Sequence, residues 1–420
     1  MPSSVFLTRV VLRNYKSIAA CDVRLGPLTY LLGPNGSGKS NFLDALHLVA
    51  DALNGSLDHA LNQRGGLNEV RRRSSGRPNH FGIRLEFQLP VKPHDIYLQG
   101  FYAFWVGALK GGGYEVQDEE CVIGLGDKNR GFKLQRGNLV ATSEASFPAV
   151  TSDRLGLVAA SGLPAFRPVF DALTAMGFYN LDPKLMRELQ KPQEGRLLKP
   201  SGENIASVVR HLVRTAPETL ELVSEYLHAV VPMVQGVEHK SFGPMETLEF
   251  RQDVAGSESP WRFPAQGMSD GTLRVFGALV ALFQGVGDDS VRLVGIEEPE
   301  TALHPAAFAA LREALQRAAE KTQVLVTSHS PDLLDDSGLS PATLLAVVSE
   351  GGESRIAPID AASRQMLEEH LFTTGELMRL NQLGPDREAI PGPGSRPADL
   401  FEALPPPPMP VRIHTPRGVE

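Results

Sequence analysis

Gly33-Pro34-Asn35-Gly36-Ser37-Gly38-Lys39-Ser40 is the stretch on which the fold turns. It follows a short apolar run, Leu28-Thr29-Tyr30-Leu31-Leu32, and leads into Asn41-Phe42-Leu43-Asp44-Ala45-Leu46, whose apolar spacing is helical. A G-x-x-x-x-G-K-S spacing between a strand and a helix is a P-loop. Its glycines let successive backbone N–H groups turn inward around a β-phosphate, and the helix adds its positive dipole end. Asn35, Gly36, Ser37, Gly38, Lys39, Ser40 and Asn41 form the candidate cradle. Lys39 is placed to reach the β- and γ-phosphates and Ser40 to ligate Mg²⁺.

Working outward, the 420 residues are 42 % hydrophobic and 21 % charged, enough for a large core and more than one lobe. The N-terminal residues lack the apolar core of a signal peptide, and no window approaches the ~18 apolar residues of a membrane span, so a cytoplasmic location with no membrane partner is expected. Cys21 and Cys121 are the only cysteines and show no metal-type spacing, which fits a reducing compartment. A net charge of −8 gives no general attraction to nucleic acid, so any DNA contact has to come from a local basic patch.

Upstream, Val5 to Val11 and Ala20 to Leu25 read as a β-hairpin joined through Asn14-Tyr15-Lys16-Ser17-Ile18. A strand ending in Asn-Tyr-Lys-Ser, followed by Gly-Pro-Asn-Gly-Ser-Gly-Lys-Ser-Asn, resembles the opening of the RecF/SMC branch of ABC ATPases. That resemblance implies the first lobe of a nucleotide-binding head using ATP and Mg²⁺. It also implies an adenine and ribose near this hairpin, which makes Arg13, Asn14 and Lys16 candidates beside the plain alternative of a hairpin tip with no ligand role.

Downstream of the P-loop helix, Arg64 to Arg77 is the one basic cluster, with Arg71, Arg72 and Arg73 at its centre. It reads either as a solvated loop or as a phosphate-backbone or partner contact. No aromatic residue interleaves the arginines, which argues against a stacking platform for single strands. From Phe81 to about Val150 a period-2, aromatic-rich pattern predicts an antiparallel meander. Gln88 within it is a candidate for the glutamine that ABC ATPases place between Mg²⁺ and the attacking water, with a surface residue as the alternative.

The pattern then turns helical: Leu163 to Met176, Pro183 to Leu189, Asn204 to Val213 and Pro217 to Val231. This reads as a helical insertion between the lobes, too short and too poor in heptads for an extended coiled-coil arm. A hairpin over Val237 to Phe242 and Met245 to Gln252 opens the second lobe.

Gln266-Gly267-Met268-Ser269-Asp270-Gly271-Thr272 precedes an apolar helix and resembles an ABC signature. Ser269 and the N–H of Gly271, at a helix N-terminus, suit a γ-phosphate. Family members use this motif in trans, which implies a head-to-tail homodimer around two ATP molecules. The form departs from the transporter version at Met268, Asp270 and Thr272, and its Ser-Asp-Gly-Thr is of the kind seen in RecF-like and defence-related ATPases.

Val291 to Glu300 is an apolar strand ending in acids, the form of a Walker B segment. There Glu297 would hold Mg²⁺ and Glu298 would polarise the attacking water. Ser328-His329-Ser330, after the strand Gln323 to Thr327, matches the switch histidine that hydrogen-bonds the γ-phosphate. Ser340 to Ser349 and Ser354 to Ile359 read as closing strands. Met366 to Leu380 reads as a helix broken at Gly375, and the Pro-rich tail from about Gly384 as a flexible end or a partner-docking segment.

The expectation is therefore an α/β, two-lobed ABC ATPase head with an antiparallel β-lobe, a mixed sheet and a helical insertion. Its parts would be lobe I at 1–150, the insertion at 151–235, lobe II at 236–384 and the tail at 385–420. Three roles remain open: DNA maintenance or repair, anti-phage defence, and regulation of a separate nuclease or toxin effector subunit.

Overall fold

The structure, a computed structural model, describes residues 4–73, 78–91, 96–125, 128–285, 291–391 and 400–402. The chain opens with β1 (Leu7–Tyr15), β2 (Ile18–Arg24) and β3 (Leu28–Leu32), then α1 (Lys39–Asn54), α2 (Leu57–Asn62) and α3 (Leu67–Val70). The meander is β4 (His80–Val91), β5 (Ile96–Ala108), β6 (Tyr114–Leu125), β7 (Lys128–Gln135) and β8 (Asn138–Thr142). Next come α4 (Gly156–Ala160), α5 (Arg167–Thr174), β9 (Met176–Tyr179), α6 (Pro183–Arg187), α7 (Ile205–Thr215) and α8 (Pro217–Val230). A small sheet of β10 (Val234–Phe242), β11 (Met245–Gln252) and β12 (Trp261–Pro264) precedes α9 (Asp270–Phe283). The last part holds β13 (Leu293–Glu297), α10 (Phe308–Ala319), β14 (Gln323–Ser328), β15 (Leu344–Glu350), β16 (Glu353–Pro358), α11 (Ala361–Glu368) and α12 (Thr374–Arg379).

One 13-stranded sheet runs through the molecule in the order β8-β7-β6-β5-β4-β1-β2-β16-β15-β3-β14-β13-β9. Its second half is parallel where β15, β3, β14, β13 and β9 lie side by side. Strand β3 shows why: all five residues are buried, Leu31 in the core under α1 and Leu28, Tyr30 and Leu32 in the core under α9 and α10. A strand covered by helices on both faces is apolar throughout rather than alternating. Each such side chain taken fully from water contributes about 1.5–3 kcal/mol.

Several expectations need correction. Met176 does not end a helix. The short Met176–Tyr179 run is β9, the edge of the main sheet beside β13, and α5 before it packs into the core under α1. Strands β15 and β16 do not close an edge but occupy the centre, β15 pairing with the P-loop strand and β16 with β2, because β3 needs an apolar parallel neighbour on each side. The C-terminal helix breaks near His370, where φ is 54°, and not at Gly375. Thr373 and Glu376 form a capping box that starts α12, with Gly375 inside its first turn against the Pro331 carbonyl.

Within the arginine cluster the loop is partly helical, as α3. The tail is not uniformly loose: Pro385 bridges to Ile359, and Leu400 is fully buried on the meander. The Pro405 to Pro408 run and Arg77 lie outside the described residues.

Candidate functional site

The P-loop connects the carboxyl end of β3 to α1. Gly36 and Gly38 hold φ of 76° and 108°, values that only glycine adopts without strain. A Cβ on Gly38 would also run into the Ser354 hydroxyl. No side chain caps the start of α1, so its first N–H groups stay available to an anion. Ser37 is buried with its hydroxyl unpartnered among the described residues.

Lys39 is 5 % exposed and its ammonium donates to the carbonyls of Gly33 at 2.8 Å and Pro34 at 3.1 Å. Burial lowers its pKa from the usual lysine value, and Glu298, Glu300 and Glu297 oppose the shift.

Parallel pairing of β14 with both β3 and β13 brings the ends of those strands together, so residues more than two hundred positions apart meet at the P-loop. Ser40 Oγ donates to Glu297 Oε2 at 2.6 Å. Glu298 Oε1 stands 3.0 Å from His329 Nδ1 and 4.0 Å from Lys39 Nζ. Glu298 has a φ of 45°, and its N–H donates to the Thr327 carbonyl at 3.0 Å, which turns it out of the strand line toward this cluster. A hydroxyl beside a carboxylate is a hard oxygen set that fits Mg²⁺, and the open helix N-terminus with the buried ammonium fits a polyphosphate. Bound there, the metal would neutralise phosphate charge.

Beside them Glu300 accepts from Ser328 Oγ at 2.5 Å, and burial raises its pKa.

The hairpin residues sit differently from expectation. Arg13 is buried, and its guanidinium donates to the Leu12 carbonyl at 3.0 Å and the Cys21 carbonyl at 3.1 Å. Its charge is committed to its own hairpin rather than facing a base. Lys16 pairs with Asp44 of α1 at 2.5 Å, and Asn14 and Lys16 take φ of 52° and 46° in the hairpin turn. Ser17 instead is the contact to the P-loop. Its hydroxyl accepts from Asn41 Nδ2 at 2.7 Å and shares a 2.6 Å hydrogen bond with Ser354 of β16.

Gln88 is also misplaced by sequence reasoning. Its side chain donates to the Val5 carbonyl at 3.0 Å, next to Phe6 and Leu7, whose N–H groups donate to Gln323 at the start of β14. The P-loop stands at the other end of that strand, so Gln88 cannot reach the metal position. The residue at the sheet end beside Glu297 is Asn180, which follows β9, where Tyr179 registers with Ile296. No local signal marked it, because β9 is four residues long and reads as helix. Gln88→Ala should leave turnover within about twofold and lower stability by ~1 kcal/mol, the worth of one hydrogen bond. Asn180→Ala, which removes the polar side chain that strand register sets beside Glu297, should cut turnover tenfold or more. Steady-state phosphate release and urea melts check both.

Ser269 caps α9 by accepting from Thr272 N at 3.1 Å, and Gly271 packs against the Ala302 carbonyl. Among the described residues no hydrogen bond links Ser269 to its own P-loop. Arg64, Arg72 and Arg73 are engaged within the protein. Arg64 bonds Asp44 at 2.8 Å and Asp51 at 2.9 Å, Arg72 pairs with Glu353 and Arg73 with Glu69.

No helix of the described residues is long and apolar enough to cross a membrane.

Comparison with known proteins places this geometry. A family described as "AAA domain, putative AbiEii toxin, Type IV TA system" matches residues 28–100 and 260–335, the two segments that carry the P-loop and the acidic strand. The DNA replication and repair protein RecF of Vibrio vulnificus is 43 % identical over 44 residues, 10 % of this chain and 12 % of RecF. The lipoprotein-releasing system ATP-binding protein LolD of Zymomonas mobilis is 38 % identical over 65 residues, 16 % of this chain and 28 % of LolD. The chain thus matches only a small part of these relatives' length.

Among solved structures, an SMC head bound to the C-terminal winged-helix domain of ScpA superposes with a TM-score of 0.52 at 13 % identity, covering 84 % of this chain and 97 % of that one. A Pyrococcus furiosus Smc head with an extended coiled coil gives 0.54 at 14 % identity, covering 88 % and 100 %. At that identity the likeness speaks for the fold, while the order of motifs and the matched segments speak for the family. The chain thus has the α/β fold of the SMC heads and is similar, over the matched segments, to RecF/SMC-like P-loop ATPases of the ABC type.

Proposed function

We propose that the chain binds and hydrolyses Mg-ATP in a head-to-tail homodimer whose closure and opening regulate a separate effector subunit, in the manner of a defence or toxin–antitoxin ATPase. The observation that carries the chemistry is the meeting of Lys39, Glu298 and His329 around one carboxylate oxygen, beside the Ser40–Glu297 pair. In this reading Lys39 and the P-loop amides hold the phosphates and Ser40 and Glu297 face the metal. Glu298 takes the proton of the attacking water, and His329 bonds the γ-phosphate. Ser269 and Gly271 act on the partner's nucleotide, since among the described residues no hydrogen bond links Ser269 to its own P-loop and its hydroxyl, accepting from Thr272 N, keeps a proton to donate.

A regulatory role is favoured over DNA binding because Arg64 and Arg72 are largely buried against acids and offer little charge to a phosphate backbone. The family's toxin description points the same way. DNA maintenance is the second reading, carried by the local likeness to RecF.

Complementation tests the trans arrangement. Lys39→Met and Ser269→Arg should each be inactive alone. Mixed in equal amounts they should recover about a quarter of wild-type turnover, because half the dimers are mixed and each mixed dimer holds one intact site of two. A mixture as dead as its parts would sink the proposal.

A further inference from the structure

The outer face of the meander carries an arrangement that the nucleotide site does not use. Strand alternation sends Gly82, Arg84 and Glu86 of β4, and Phe101 and Trp105 of β5, to one side of the sheet. The chain's own residues Leu400 to Glu402 lie against them.

Arg84 is 1 % exposed. Its Nη1 donates to the carbonyls of both Leu400, at 2.8 Å, and Glu402, at 2.7 Å. Its Nε donates to Glu86 at 2.9 Å, and the guanidinium lies 3.9 Å above the centre of the Phe101 ring. Leu400 is wholly buried against Val11 and Trp105, in a notch open only because residue 82 has no side chain; a Cβ there would overlap the leucine methyl and the Trp105 ring. Lys133 Nζ stands 5.6 Å from the centre of the Phe401 ring.

A buried cation whose one nitrogen is held by two main-chain carbonyls, two residues apart, reads a turned backbone, 3-10 at Leu400 and bent at Phe401, in a fixed register. A notch beside it reads one side chain. Those are the two parts of a peptide site, main-chain hydrogen bonds for affinity and a pocket for choice.

We propose that this face is a peptide-binding site for a turned segment with a leucine followed by an aromatic residue, and that the chain's own Leu400–Glu402 is its resident, reversibly docked occupant. Residues 392–399 tether that occupant to the body. Because the occupant belongs to the same chain, with eight residues between it and Pro391, its effective concentration at the site is on the order of millimolar. Even a weak intrinsic affinity therefore keeps the site filled, and a partner's segment must exceed that concentration-weighted hold to displace it. Arg84 fixes the cost of vacancy, since leaving it without the two carbonyls strands part of a buried charge.

The full-length chain carrying Leu400→Asp tests this, because an aspartate has no partner in the notch. Trp105 is 3 % exposed and should report the release through a red-shifted emission and easier acrylamide quenching. The exposed Trp261 is removed as Trp261→Phe in every sample. Titration with a synthetic peptide of residues 397–405 should restore the original emission saturably, with half-restoration at or below the millimolar range. The same peptide with leucine replaced by aspartate should do nothing. A Gly82→Leu chain, its fold checked by circular dichroism, should show the released emission and ignore the peptide. Unchanged Trp105 emission in Leu400→Asp, or no saturable recovery while Gly82 is intact, would overturn the proposal.

Discussion

Glu298→Gln should slow ATP turnover by about 10²–10⁴-fold, the usual contribution of a positioned general base, while Mg-ATP still binds. Glutamine keeps the size of the side chain and an acceptor oxygen for His329 at the 3.0 Å contact, but it cannot take a proton. The backbone that aims residue 298, with its left-handed φ and its N–H on Thr327, is untouched by the substitution. A base that is lost while phosphate binding is kept should trap the closed state. Light scattering with Mg-ATP should then show a stable dimer for the variant and a mixture for wild type. If Glu298→Gln hydrolyses normally, the water is activated elsewhere and the assignment of the acidic pair fails.

Lys39→Met should weaken Mg-ATP binding on the order of 10²-fold or more, from the loss of charge-assisted hydrogen bonds in a desolvated site. Methionine matches the buried stem, so the fold should stand. The ammonium now sits on the Gly33 and Pro34 carbonyls, ready to move a short way to a phosphate. Burial costs its charge something, which is why three carboxylates stand near it. Calorimetric titration measures the affinity, and the rise in Tm with added Mg-ATP should vanish with it. Tight binding by the variant would mean that the loop amides alone hold the nucleotide.

What the sequence disclosed and what it hid follow from the range of the interactions. The P-loop, the signature helix and the acidic strand carry their reasons within a few residues: glycine dihedrals, a capping serine, an apolar run ending in acids. The meander announced itself by alternation. Asn180, Ser17 and Ser354 gave no such sign, because their positions beside Glu297 and the P-loop come from strands that pair across the sheet. Gln88 looked correct in its local setting and lies at the far end of β14 from the P-loop, since residue spacing says nothing about which end of a sheet a strand presents. Arg13, Arg64 and Arg72 read as available charge and are held by carbonyls and acids that only the fold brings near. Leu400 was hidden inside a tail whose composition suggests a loose end.

The central place of β3 also orders the life of the molecule during its synthesis. Both neighbours of the P-loop strand, β14 and β15, come from beyond residue 322, while the hairpins of the meander are each complete within a few dozen residues. Contacts between distant parts of a chain wait for the later part to exist, and closing such a long loop is slow. The meander can condense while the ribosome is still translating, but the strand that presents the P-loop has no partner on either side until three quarters of the chain has been made. Nucleotide competence therefore waits for β14 and β15, and a chain that stops before residue 323 should lack the neighbours that hold the P-loop strand in its sheet.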